Sequence, residues 1–162
     1  MSRQTAFLVA LCLLLVSPIG LAAGTAGCTA SATGPAFGIY NPFGPATTAN
    51  GVLTVTCTLI GGNGAAQVTA VASYSTGASG TYANRTLVSG ANVLNYNLYI
   101  DLAHTQTAGD GTAGTFTSTM SFKIIPPILT AQGQATIYGL IPAPQSVNPG
   151  TYLDTINVTV SY

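Results

Sequence analysis

Residues Gly150–Tyr162 (GTYLDTINVTVSY) constrain this chain more than any other stretch. Ile156, Val158, Val160 and Tyr162 alternate there with Thr155, Asn157, Thr159 and Ser161. A period of two sends the apolar set to one face of a β-strand and the polar set to the other. The sequence ends on that pattern, with no turn and no return strand. A strand edge left open is a template for another strand. A chain finishing this way is therefore expected to dispose of the edge in a manner tied to its function.

The other end predicts export. Met1-Ser2-Arg3 gives a positive start, Ala6 to Leu15 is apolar, and small residues follow at Gly20, Ala22, Ala23 and Gly24. This is the layout of a secretory signal peptide, assigned to residues 1–23 with cleavage between 22 and 24. Residues 24–162 remain as one mature domain. No later run approaches the roughly 18 apolar residues needed to span a bilayer.

Charge excludes whole classes of function. Without Arg3 the mature part has Arg85 and Lys123 against Asp101, Asp110 and Asp154, about −1 in net charge. Nucleic-acid binding needs a basic footprint, which is missing. With 48% hydrophobic residues the chain is too apolar for disorder. So little charge gives weak protection against association, as suits a protein meant to associate. Of the three cysteines Cys12 leaves with the signal, so Cys28 and Cys57 are expected to form one disulfide outside the cytosol.

Beyond the signal no stretch of ten residues has helical periodicity, whereas short alternating runs recur. They are Leu53–Leu59, Val68–Tyr74, Leu94–Ile100, Met120–Ile124, Ala135–Ile141 and the terminal segment. Gly61-Gly62-Asn63-Gly64, Gly77–Gly80, Gly109-Asp110-Gly111 and Pro142-Ala143-Pro144 punctuate them as turns and loops. Short strands with regular turns predict an all-β sandwich.

Candidate chemistry is sparse. His104 could be imagined in a triad with Asp101 or Asp154, but no nucleophile elbow accompanies it, and it reads as a surface histidine. The three aspartates are scattered, with no Cys/His cluster, so neither a metal nor a cofactor is expected. Eight tyrosines and no tryptophan supply the large amphipathic rings. Such rings are expected half-buried with the hydroxyl at the rim, although Tyr with Asn and Gly also suits a sugar-binding surface. Arg85, the one mature arginine, is expected to be a buried or semi-buried hydrogen-bond donor fixing loops.

Several motifs, in order, resemble the spore coat protein U domain, the subunit fold of archaic chaperone–usher pili. They include Phe37-Gly38-x-Tyr40-Asn41-Pro42, Gly51–Cys57, Asn84-Arg85-Thr86-Leu87 and Leu94–Tyr99. Gly109-Asp110-Gly111, Tyr138-Gly139-x-Ile141-Pro142 and Gly150-Thr151-Tyr152-x-Asp154-Thr155 complete the set. The family often has Trp before Gly-Asp-Gly, where this chain has Ala108.

The resemblance implies an immunoglobulin-like β-sandwich that lacks its last strand and is completed by a donor strand. A periplasmic chaperone would lend that strand, and at the outer-membrane usher another pilus subunit would replace it. Ile156, Val158, Val160 and Tyr162 would line or flank the acceptor groove, the Tyr162 carboxylate would anchor a basic chaperone residue, and Cys28–Cys57 would match the family's disulfide. Cleavage near Gly24 leaves about four residues before Cys28, roughly 13 Å extended, too short for a donor strand. The chain is thus expected to accept a strand without giving one, as a tip or coat subunit would.

Two function classes follow. One is a structural, non-enzymatic subunit of a surface pilus or coat, passing through the periplasm to the cell surface and serving adhesion or biofilm formation. The other is a secreted carbohydrate- or surface-binding adhesin domain working through Tyr/Asn loops.

Overall fold

Threonine alternating with branched or aromatic residues favours extended backbone, and strands dominate the fold. The computed structural model describes residues 23–162, so all of the expected signal peptide except Ala23 lies outside the described residues. Eight strands follow in order: β1 (Thr25–Thr33), β2 (Thr47–Gly61), β3 (Ala66–Tyr74), β4 (Arg85–Ser89), β5 (Asn92–Tyr99), β6 (Ser118–Ile124), β7 (Thr130–Ile141) and β8 (Val158–Ser161). A single 3-10 turn at Gly77–Ser79 is the only helical element among the described residues.

The strands form two antiparallel sheets, one ordered β1-β2-β7-β5-β4 and the other β6-β3-β8. The chain crosses between them after β2, β3, β5, β6 and β7, so the sheets stack as a sandwich. Leu53, Val55 and Cys57 of β2, Leu94, Tyr96 and Leu98 of β5, and Ile137 and Ile141 of β7 form one wall of the core. Ala70, Ala72 and Tyr74 of β3 with Met120 and Ile124 of β6 form the other.

Five of the expected runs lie in β2, β3, β5, β6 and β7. β7 begins five residues before the expected Ala135 because its first core-facing residues, Ala131 and Gly133, are too small to register as an apolar run. The Phe122 ring fills the space instead, and a Cβ added at Gly133 would come within 2.7 Å of it. Two strands escape the hydropathy pattern altogether. β1 offers the core only Ala26, Cys28, Ala30 and Ala32, and β4 places Arg85 on the core face opposite Tyr96.

The terminal segment keeps its alternation but not a single partner. Tyr152, Asp154, Ile156, Val158 and Val160 are half-buried, with an exposed residue between each pair. Leu153 bridges Val88 at the edge of β4, whereas Val158–Ser161 pairs with Tyr74–Val71 of β3. The expected single strand over 150–162 is thus divided between the two sheets, with Val158–Ser161 as the regular ladder.

Candidate functional site

β1 and β2 are joined by the disulfide expected from the sequence. Cys28 and Cys57 face each other in register, with the sulfurs bonded and the Cα atoms 4.0 Å apart. Closing a loop of this length stabilises the fold by about 3–4 kcal/mol in the chain-entropy model. It also fastens β1 to the sheet. Thr25 and Ala26 pair with Gly61 and Leu59, and the Gly24 amide donates to the Ala65 carbonyl at 3.3 Å. The residues just before Cys28, expected to form a short extension, are therefore built into the fold.

Past the disulfide, β1 loses its cover. Ala30 pairs with Val55 and Ala32 with Leu53, so both alanines point to the core side of the sheet. Val55 is 0% and Leu53 1% exposed, yet Ala30 and Ala32 are exposed. Opposite them stand Ile156, Val158 and Val160, half-buried on the terminal segment. An open cleft of about 310 Å³ runs between the two elements, with Leu53 at its base and only Ser31 and Asn157 adding polar side chains. No charged residue lines it.

The backbone is as open as the side chains. Among the described residues β1 is hydrogen-bonded along one edge only, to β2, and β8 along one edge only, to β3. Unpaired N–H and C=O groups along such edges are a template for pairing. Ile156, Val158 and Val160, singled out in the sequence, meet at this cleft. Tyr162 lies beyond the last ladder pair and is 63% exposed. Sequence reasoning missed Ala30 and Ala32. Their only sequence signal is the Ala/Thr/Ser alternation of Thr29–Thr33, which looks like a polar loop.

Arg85 lies on another flank and is fully buried. Its Nε and Nη2 donate to the Ser75 carbonyl at 3.2 and 2.8 Å, Nη1 to Asn97 Oδ1 at 2.7 Å, and Nη2 also to the Ala108 carbonyl at 2.8 Å. Burial pulls its pKa below the usual arginine value. The guanidinium thereby ties the end of β3, β5 and the loop before β6 into one unit. Asp154 acts nearby, accepting from the Tyr96 hydroxyl at 2.7 Å and the Ala78 amide at 2.8 Å. Burial raises the Tyr96 pKa, and the bond to Asp154 raises it further. Both groups are occupied in holding strands together.

His104 is half-buried and packs edge-on against Tyr99 and Tyr138, far more enclosed than a plain surface histidine. Among the described residues no group of three His, Cys, Asp or Glu side chains is placed to hold a metal, and no helix is long and apolar enough to cross a membrane.

Comparison with known proteins agrees with this architecture. No curated protein sequence matches the chain. Among solved structures, one similar chain comes from the CsuC–CsuE chaperone–tip adhesion subunit pre-assembly complex of the archaic chaperone–usher Csu pili of Acinetobacter baumannii. The likeness has a TM-score of 0.53 at 17% identity and covers 85% of this chain but 40% of that one, a likeness of fold. The family pattern of the Spore Coat Protein U domain matches residues 12–159. That span takes in every strand of the sandwich but the last residues of β8, and the chain belongs to the Spore Coat Protein U domain family.

Proposed function

We propose that this protein is a structural, non-enzymatic subunit of a chaperone–usher pilus or surface coat, built to receive a donor strand in the cleft between β1 and β8. One observation carries the reading: Ala30 and Ala32 face the core side of their sheet and, among the described residues, remain uncovered between two strand edges without partners. A strand laid there pairs its backbone with the open edges. Its alternate apolar side chains cover Leu53, Ile156, Val158 and Val160. The small alanines leave room for larger donor residues. Tyr162 flanks the entrance.

The resemblance of the fold to a chain from a chaperone–subunit complex supports a periplasmic chaperone as the first donor, with delivery to an outer-membrane usher and to neighbouring subunits. Residues 1–23 act as the export signal and 24–162 as the mature domain. The assembled protein then stands at the cell surface, in adhesion or biofilm formation.

The test mixes the exported chain with a synthetic peptide of alternating apolar and polar residues. Burying several apolar side chains in the cleft raises the thermal midpoint by on the order of 10 °C. Ala32→Asp, which puts a charge into the cleft, abolishes that shift while circular dichroism shows the β fold retained. A folded wild-type chain that binds neither a peptide nor a co-expressed chaperone would overturn the reading.

A further inference from the structure

The strand-acceptor reading uses the inner face of the five-stranded sheet and leaves the outer face unexplained. β1, β2 and β7 contain no charged residue in any of their positions. Their register aligns uncharged polar side chains in rows across three strands: Thr29, Thr56 and Gln132, then Ser31, Thr54 and Gln134. Neighbours in a row stand about 4.8 Å apart, and successive rows about 6.7 Å. Hydroxyls and carboxamides can donate and accept at once.

The same face carries an aromatic cluster. Asn50, Tyr138 and Tyr99 pair in register, so the two tyrosines lie side by side on the outer surface. The His104 ring meets Tyr99 at 5.1 Å and 82°, and Tyr138 at 6.4 Å and 88°. Holding it there strains the chain, because His104 has φ 55°, a region that favours glycine. Asp101 maintains the loop by accepting from the Gln106 amide at 2.8 Å, the Thr105 amide at 3.0 Å and the Thr105 hydroxyl at 2.7 Å. Such strain concentrates at ligand-binding sites.

We propose that this face binds an extended, neutral polysaccharide. The aromatic cluster of Tyr99, His104 and Tyr138 takes the C–H faces of the sugar rings, while Asn50, Gln132 and Gln134 bond their hydroxyls. Amphipathic rings are suited to ligands with one apolar face and one polar edge. Because these strands carry no cation, an anionic polymer gains nothing over a neutral one. From Gln132 to Tyr138 the face runs about 20 Å along β7, enough for several sugar rings in a row.

The site does not depend on strand complementation, since Thr29 and Ser31 face outward where Ala30 and Ala32 face inward. The test is affinity electrophoresis of the full exported chain, its cleft filled by donor peptide or chaperone, in gels containing hydroxyethylcellulose or sulfated dextran. The neutral polymer is expected to retard the protein, equally at low and high salt, and the sulfated one to add nothing. Tyr99→Ala/Tyr138→Ala lowers the affinity at least tenfold. His104→Gly removes the imidazole while leaving this φ accessible, circular dichroism shows the β fold retained, and retardation weakens several-fold. No retardation by the neutral gel, or retardation unaffected by either variant, overturns the proposal. So does a Tyr138-dependent self-association of the chain without sugar, which would make the face a contact between copies. Peptide binding in the cleft is read separately, so failure here leaves the strand-acceptor reading standing.

Discussion

The flank around Arg85 and the flank between β1 and β8 belong to one sandwich and are finished in opposite ways. At the first, a buried guanidinium satisfies carbonyl and carboxamide oxygens from three elements, Leu153 bridges Val88, and Asp154 caps Tyr96 and the Ala78 amide. At the second, among the described residues, two core-facing alanines stand uncovered and two strand edges lack partners. A fold that can bury a cation without a single unsatisfied buried side-chain polar atom among the described residues is not loosely made. The uncovered alanines are a local feature of one seam lined by uncharged side chains, although β6 and most of β4 also lie at sheet edges.

The contrast can be broken at several points. Arg85→Ala should have the largest effect, about 3–5 kcal/mol in urea denaturation, because it leaves buried acceptors unpaired and opens a cavity. Arg85→Lys recovers only part of this, since an ammonium cannot reproduce the fork. Replacing both cysteines with alanine should lower stability by about 3–4 kcal/mol and loosen β1. Hydrogen exchange should then speed up along Thr25–Thr33 and strand-peptide binding weaken, with the Arg85 flank still protected.

A smaller effect is expected inside the core, where the Tyr74 hydroxyl donates to Ser118 Oγ at 2.7 Å. Tyr74→Phe should lower stability by about 1 kcal/mol and leave the cleft's peptide affinity unchanged. The smallest effect concerns pH. The Asp110 carboxylate sits below the usual aspartate range because the Thr112 hydroxyl and amide donate to it. Its contribution is fully present above about pH 3.9 and is lost as pH falls through its lower folded-state value. Asp110→Asn should flatten that part of the stability curve, measured between pH 5 and 2. Should any of these distant changes abolish strand binding while the fold persists, the two flanks are coupled and the contrast between them fails.

Much of this was legible in the sequence wherever side chains repeat with period two. Leu53, Val55 and Cys57, or Leu94, Tyr96 and Leu98, announce a strand and its buried face together. β1 was illegible because alanines on its inner face contrast little with threonines on its outer one. β4 was hidden because an arginine occupies an inward position. Half of the candidate site, Ile156, Val158 and Val160, could be read from the terminal alternation. The other half, Ala30 and Ala32, could not.

The sequence by itself determined an all-β chain with one disulfide, almost no charge and an amphipathic terminal segment, because strand periodicity and turn chemistry are local properties. Only the tertiary structure decided that this segment spans two sheets, that Arg85 bonds Ser75, Asn97 and Ala108, and that β1 and β8 leave a seam between them. Those outcomes depend on register and on which edges meet, and residues far apart in sequence settle such questions only when the sheets pack.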